Sequence, residues 1–178
     1  MNRPVTDFVL AFAALILVVV LVSFTLPSDW SVQRSLFINA KPEKIFPYFN
    51  NLDNWEKWSA WSTEKDKSIK YKYSGSKVGR GSKCIWHAES IGGGSLCITD
   101  SLKNKSVRYY ALIQNETFQV DGLILLKPSD LGTLMVWKVS GNLGMNMWAK
   151  YTSFMLDSFF GLDMEKSMMK LKKIAEEK

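Results

Sequence analysis

Histidine occurs once in this chain of 178 residues, and cysteine only twice. His87, Cys84 and Cys97 supply no ligand spacing for a metal site. Two cysteines are also too few for a disulfide scaffold. They flank a hairpin turning at Gly92-Gly93-Gly94, which does not set them opposite each other, so two buried free thiols are expected. No G-x-S-x-G nucleophile frame and no G-x-x-x-x-G-K-[ST] phosphate loop is present. The lysines are scattered, with no run resembling a nucleic-acid arm, so nucleic acid is not an expected partner. No cofactor is implied, and neither an internal repeat nor a low-complexity segment occurs.

Charge is missing from one long stretch. From Phe8 to Leu26 the chain reads FVLAFAALILVVVLVSFTL, 19 residues without an ionisable group. As a helix this run is roughly 28 Å long, close to the hydrocarbon thickness of a bilayer. A cleaved signal peptide has a shorter apolar part and ends at small residues, unlike Pro27-Ser28-Asp29. Residues 1–29 therefore read as a membrane anchor and residues 30–178 as one folded domain. Arg3 stands before the span and Arg34, Lys41 and Lys44 after it, which leaves the side of the domain open. Without Arg3, Asp7 and Asp29 the chain has 22 basic and 15 acidic residues, a net of +7. That excess suits an anionic membrane surface and also serves plain solubility.

Past the anchor the hydrophobic period alternates between strand and helix. Residues 30–39 are rich in β-formers. Lys41-Pro42-Glu43 starts a helix whose apolar face runs to about Asn50, and Pro47 inside it should kink or shorten it. A second short helix is expected from Leu52 to Trp58. Strands follow at 68–74, 81–90, 94–100, 105–114, 117–127 and 132–140, separated by Gly, Asn and Pro punctuation. Short turns between successive strands make an antiparallel meander. From about Met147 the chain reads as one long helix. Phe160, Met164, Met168, Leu171 and Ala175 form a continuous stripe on it, and Trp148, Tyr151, Met155, Phe159 and Leu162 form a second strip.

Several stretches carry a resemblance. They are RSLFINAKPEKIFPYFNNLDNWEKWSAW, YSGSKVGRGSKCIWHA, GTLMVWKVSG and LDSFFGLDMEKSMMKLKKIAEE, the last with Gly161, Glu165, Leu171 and Lys172 in familiar places. In this order they resemble the polyketide cyclase/dehydrase and lipid-transport group of the START-like (SRPBCC) superfamily, over residues 30–177. The resemblance implies an α+β helix-grip fold: a curved seven-stranded antiparallel sheet around a long C-terminal helix. Here an N-terminal transmembrane helix is added. The superfamily spans cyclases, lipid carriers, receptors and chaperone activators, so fold does not fix chemistry.

In such a fold an apolar ligand is held between sheet and helix. The expected lining residues are Trp55, Trp58, Trp61, Trp86, Tyr110, Phe118, Trp137, Tyr151 and Met155. The three indoles at 55, 58 and 61 have four readings: core, ligand rim, membrane-interface anchor, or a sugar-stacking surface that nothing else in the chain supports. His87 lies beside Trp86 on a strand and reads as structural or solvent-facing. GSKVGRGSK, with Lys77, Arg80 and Lys83, reads as a β-connection, with a phosphate cradle as its alternative. Asp53, Glu56, Glu64 and Asp66 fall near the mouth and read as solvating carboxylates, or as an acid/base pair. The expected function is a membrane-tethered, non-catalytic module for a lipid or other hydrophobic small molecule, held to the membrane through residues 8–26. A cyclase- or hydrolase-type enzyme using His87 or a mouth carboxylate is the first alternative. A protein-interaction module with a filled core is the second.

Overall fold

The computed structural model describes residues 3–153 and 155–177. Helix α1 (Arg3–Thr25) is followed by β1 (Asp29–Ile38), α2 (Pro42–Asn50), a 3₁₀ turn (Leu52–Asn54) and α3 (Trp55–Trp58). Six strands come next: β2 (Lys70–Gly75), β3 (Ser82–His87), β4 (Gly94–Leu102), β5 (Ser106–Ile113), β6 (Phe118–Ser129) and β7 (Gly132–Asn142). Helices α4 (Met147–Thr152) and α5 (Met155–Glu176) close the chain. The strands form one antiparallel sheet in the order β1-β7-β6-β5-β4-β3-β2. Five neighbours follow the expected meander, and β1 pairs with the last strand from Asp29↔Asn142 to Ile38↔Thr133. A register shift between Ile98 and Asp100 marks a bulge in β4, a device that bends a strand.

Helix α5 lies on the concave face. Phe160, Met164, Met168, Leu171 and Ala175 are buried in the same core cluster as Val32, Ile38, Ile124, Met135 and Val139 of the sheet. Period 3.6 on the helix meets period 2 on the strands, and each buries its apolar side. The β1 flank of the helix is fixed by polar contacts. Arg34 donates from Nη1 and Nη2 to Asp157 at 2.9 and 3.0 Å and from Nε to Glu165 at 2.5 Å. Its guanidinium lies over Gly161, where an added Cβ would stand 2.1 Å from Nη2. Glycine in mid-helix costs about 1 kcal/mol against alanine, and here it makes room for that side chain. Further along, Lys172 donates to Phe37 O at 2.8 Å and Glu176 accepts from Asn39 N at 2.7 Å.

Three details differ from the sequence pattern. Helix α2 ends at Asn50 as its apolar face indicates, but Pro47 does not shorten it, because Ile45, Phe46 and Phe49 are buried against the core. Strand β3 ends at His87, short of Ser90, because the amides of Ser90 and Ile91 are captured by Asp66. The C-terminal helix is broken. At Ser153 both the amide and Oγ turn back to Lys150 O, and Leu156 N bonds Ser153 O, an i→i+3 pattern that ends α4 before α5 begins. Phe154 lies outside the described residues.

Helix α1 is long and apolar enough to cross a membrane. Its side chains are exposed almost throughout, unlike those of a soluble core helix. It touches the rest of the chain at α4, where Tyr151 Oη donates to Val19 O and Lys150 Nζ lies 3.4 Å from Ser23 O.

Candidate ligand cavity

The opening tryptophans join the small helices to everything around them. Trp55 Nε1 donates to Phe49 O at 3.0 Å, Trp58 Nε1 to Tyr48 O at 2.8 Å, and Trp61 Nε1 to the Asp163 carboxylate of α5 at 2.7 Å. Trp55 stands edge-on to Tyr109, and Trp58 edge-on to Trp137. These packings hold α3 away from the sheet floor at one end of α5. Between them lies a cavity of about 540 Å³.

Its floor is the inward face of the sheet, including Leu96, Tyr109, Ala111, Val120 and Trp137. Its roof is α5, through Phe160, Met164 and Ser167. Trp55, Trp61 and Tyr71 stand along one side, and the 90–93 and 114–115 turns close the end. Two aromatic rings lie low on the floor because their cross-strand partners are glycines. Tyr109 opposes Gly122, where an added Cβ would be 2.0 Å from the ring, and Trp86 opposes Gly94, where it would be 2.3 Å away. Each glycine removes a side chain from the floor and leaves hollow space above a flattened ring.

Polar groups in the wall are few and mostly spoken for. Trp137 Nε1 donates to Tyr109 Oη at 3.0 Å, and Tyr71 Oη donates to Trp61 O at 2.9 Å. Burial raises the Tyr109 hydroxyl above the ordinary phenol value, outweighing the opposite pull of the Trp137 N–H, so it stays neutral with a proton to donate. Burial pushes the Cys84 thiol up to about 12, which keeps it protonated and a poor nucleophile. At the mouth Lys65 pairs with Asp163 and sits over the rings of Trp61 and Phe159, 5.8 and 5.7 Å from their centroids.

The expected lining residues divide. Trp55, Trp61, Trp86 and Trp137 border the cavity. Trp58, Tyr110, Phe118, Tyr151 and Met155 do not. Trp58 is fully buried behind the wall. Tyr110 points to the opposite face of β5 from Val107, Tyr109, Ala111 and Ile113, so its neighbour Tyr109 takes the place expected of it. Phe118 faces inward but stacks on Trp30 beyond the hollow. Tyr151 turns toward α1, and Met155 is exposed. The two free cysteines are not opposed, since Cys84 pairs with Leu96 and Cys97 with Lys83; Cys84 is buried as expected, but Cys97, on the other face of β4 from Leu96 and Ile98, is only half-buried. His87 is exposed and outside the cavity wall. The glycine loop is a β2–β3 connection whose amides are occupied: Gly79 N donates to Asn50 O and Gly81 N to Ile98 O, both at 2.8 Å. It has no free nest at those positions to hold a phosphate.

Asp66 has a role the sequence did not reveal. It is only 7% exposed and accepts from Ser68 Oγ at 2.6 Å, Ser68 N at 2.9 Å, Ser90 N at 2.8 Å and Ile91 N at 3.3 Å. One carboxylate thus ties the segment before β2 to the loop that closes the cavity end. The Ser68 hydroxyl first, then the Ser90 and Ser68 amides, lower its pKa from 3.8 to about 2. A lowered folded-state value means stabilisation present above pH 3.8 and lost as pH falls toward 2. Asp66→Asn presents an amide N–H₂ to these donors. Hydrogen exchange at Ser90 and Ile91 should speed up in Asp66→Asn near pH 6, and the difference from wild type should narrow between pH 4 and pH 2. Equal exchange near pH 6 would remove the clamp.

No protein-family model matches the sequence, and a search of curated proteins finds no relative. Solved structures do match. A Chromobacterium violaceum protein shares 14% identity at a TM-score of 0.61, over 83% of this chain and 98% of that one. A Staphylococcus aureus protein of unknown function shares 12% at 0.64, over 84% and 95%. StfQ, a di-domain ARO/CYC from the steffimycin biosynthetic pathway, shares 13% at 0.62, over 85% of this chain and 51% of its own. The chain has the helix-grip fold. At these identities the likeness establishes architecture, and the site must carry any argument about activity.

Proposed function

We propose that this chain belongs to the START-like superfamily and is a membrane-tethered, non-catalytic binding module for a lipid or other hydrophobic small molecule. The observation that carries the reading is the hollow between α5 and the sheet. At about 540 Å³ it falls within the range of small-molecule sites, and its wall is mostly aromatic and aliphatic. Each ligand CH₂ buried there contributes about 0.8 kcal/mol, so a short alkyl chain supplies useful affinity. Tyr109 offers one neutral donor for a carbonyl or hydroxyl on the guest. The apolar α1 helix supports the tether.

The likeness to StfQ favours a second reading, an enzyme acting in the same hollow. Of the mouth carboxylates Glu56 does border the cavity, where it accepts from Thr63 Oγ1 at 3.0 Å; against an enzyme, His87 lies outside, Cys84 is held as a thiol, and Asp163 is engaged by Trp61 and Lys65. A hollow of this size also speaks against a protein-interaction module built on a filled core.

Native mass spectrometry of the full chain released from lipid nanodiscs tests binding. A one-to-one adduct of lipid mass is expected. Only apoprotein, at every lipid concentration tried, would sink the proposal.

A further inference from the structure

The second apolar strip of the C-terminal region does not join the core. Met155, Phe159 and Leu162 stand at i, i+4 and i+7 on the side of α5 opposite the buried stripe, and each is more than half exposed. Met145 and Trp148, just before, are 85% and 76% exposed. Beyond Leu162 the same face carries Lys166 and Lys173 with Met169 between them. An apolar face that turns basic at one end matches a bilayer surface, with the acyl boundary at one level and headgroups above it.

The connection to α1 fixes where such a surface would lie. Only Leu26, Pro27 and Ser28 separate α1 from β1, a reach of about 10 Å. The junction is tied down at its β1 end: Leu143 N donates to Ser28 O at 2.9 Å, and Asn142 Nδ2 to Asp29 Oδ1 at 2.6 Å. Tyr151 Oη reaches the carbonyl of Val19, six residues before the end of α1, which is about 9 Å down its axis. If α1 spans a bilayer, α4 is drawn into the same interfacial depth, 5–10 Å, at which amphipathic helices rest.

We propose that Met145, Trp148, Met155, Phe159 and Leu162 form a face that sits in the bilayer interface beside α1. This rests on the tether reading above. Phe159 belongs both to this face and to the cavity wall, so docking turns the Phe159 end of the hollow toward lipid. The interfacial tryptophan is then Trp148 and not the 55–61 triplet, whose indoles face core and cavity.

The full chain, carrying Cys97→Ser, is reconstituted in vesicles of phosphatidylcholine and phosphatidylglycerol. Cys84 is buried and its thiol protonated, so it resists labelling. An NBD fluorophore is attached at Met155→Cys, Leu162→Cys or, as reference, Leu131→Cys. Leu131 is exposed in the β6–β7 turn, at the far end of the β1–β7 pair and about 30 Å from α1. Doxyl-labelled lipid should quench the fluorophore at 155 and 162 about twofold, the effect of burial at the acyl boundary, and leave 131 unchanged. Flotation separates the two readings. A chain that does not float with vesicles overturns the tether and this inference together. A chain that floats, with 155 and 162 quenched no more than 131, overturns this inference alone. So does a blue shift at 155 without lipid quenching, the mark of a second copy covering the face.

Discussion

Replacing Trp58 with alanine should destabilise the fold by about 3–5 kcal/mol, the range for deleting a fully buried large aromatic. For a chain of this size that is a fall in melting temperature on the order of 10 °C. Trp58 has no exposed surface, donates to Tyr48 O at 2.8 Å, and packs between Trp55 and Trp137 with ring centroids 5.1 and 5.4 Å away. Its loss opens a hole behind the cavity wall and leaves the Tyr48 carbonyl without that donor. Trp61→Ala removes a half-buried ring that borders the cavity, so it should lower stability less and ligand retention more. Thermal melts followed by circular dichroism, with and without added pyrene-labelled fatty acid, separate the two. A Trp58→Ala protein that melts like wild type would mean the indole is not a core residue.

Gly122→Val should abolish ligand retention while leaving a folded protein. A Cβ at position 122 occupies the place where the Tyr109 ring now rests, 2.0 Å from its Cζ. The ring has to rise into the hollow, filling the space a guest would use. Overpacking of this kind costs about 1–3 kcal/mol of stability, which the fold should survive. Affinity for the pyrene-labelled fatty acid should fall at least about tenfold, or 1.4 kcal/mol. Adding Tyr109→Ala to Gly122→Val should restore volume and recover binding, a coupling that independent sites do not show. If the double variant binds no better than the single one, the ring is not what blocks the cavity.

The strands and the C-terminal stripe were legible because each rests on local pattern. Gly, Asn and Pro punctuation marks the turns, and the positions of Phe160, Met164, Met168, Leu171 and Ala175 repeat at helical spacing. Tyr109 was legible too, although Tyr110 was the expectation. Tyr109 shares its parity along β5 with Val107, Ala111 and Ile113, whereas Tyr110 shares its own with Arg108. The clamp at Asp66 was not legible. Its partners at Ser90 and Ile91 lie 24 and 25 residues away and use backbone amides, which carry no side-chain signature. Nor were the flattened rings, since the opposition of Tyr109 to Gly122 and of Trp86 to Gly94 depends on strand register. The exposed strip at Met155, Phe159 and Leu162 has the same period as a buried one. Hydrophobicity alone does not say which apolar side of a helix meets protein.

Helix α5 is gripped unevenly. Over residues 163–176 it is tied on both flanks, to the Ala60–Lys65 segment through Ser167, Asp163 and Lys170, and to β1 through Lys172 and Glu176. Before Asp163 the described ties are fewer: the two-pronged Arg34–Asp157 pair, Phe160 stacked on Trp30, and Lys65 over the Phe159 ring, while Met155 and Leu162 stay exposed. A beam clamped at one end flexes at the other. On the binding reading proposed above, accommodation of guests of different girth falls to residues 155–162, the less tethered half of the rod, working as a jaw against the sheet.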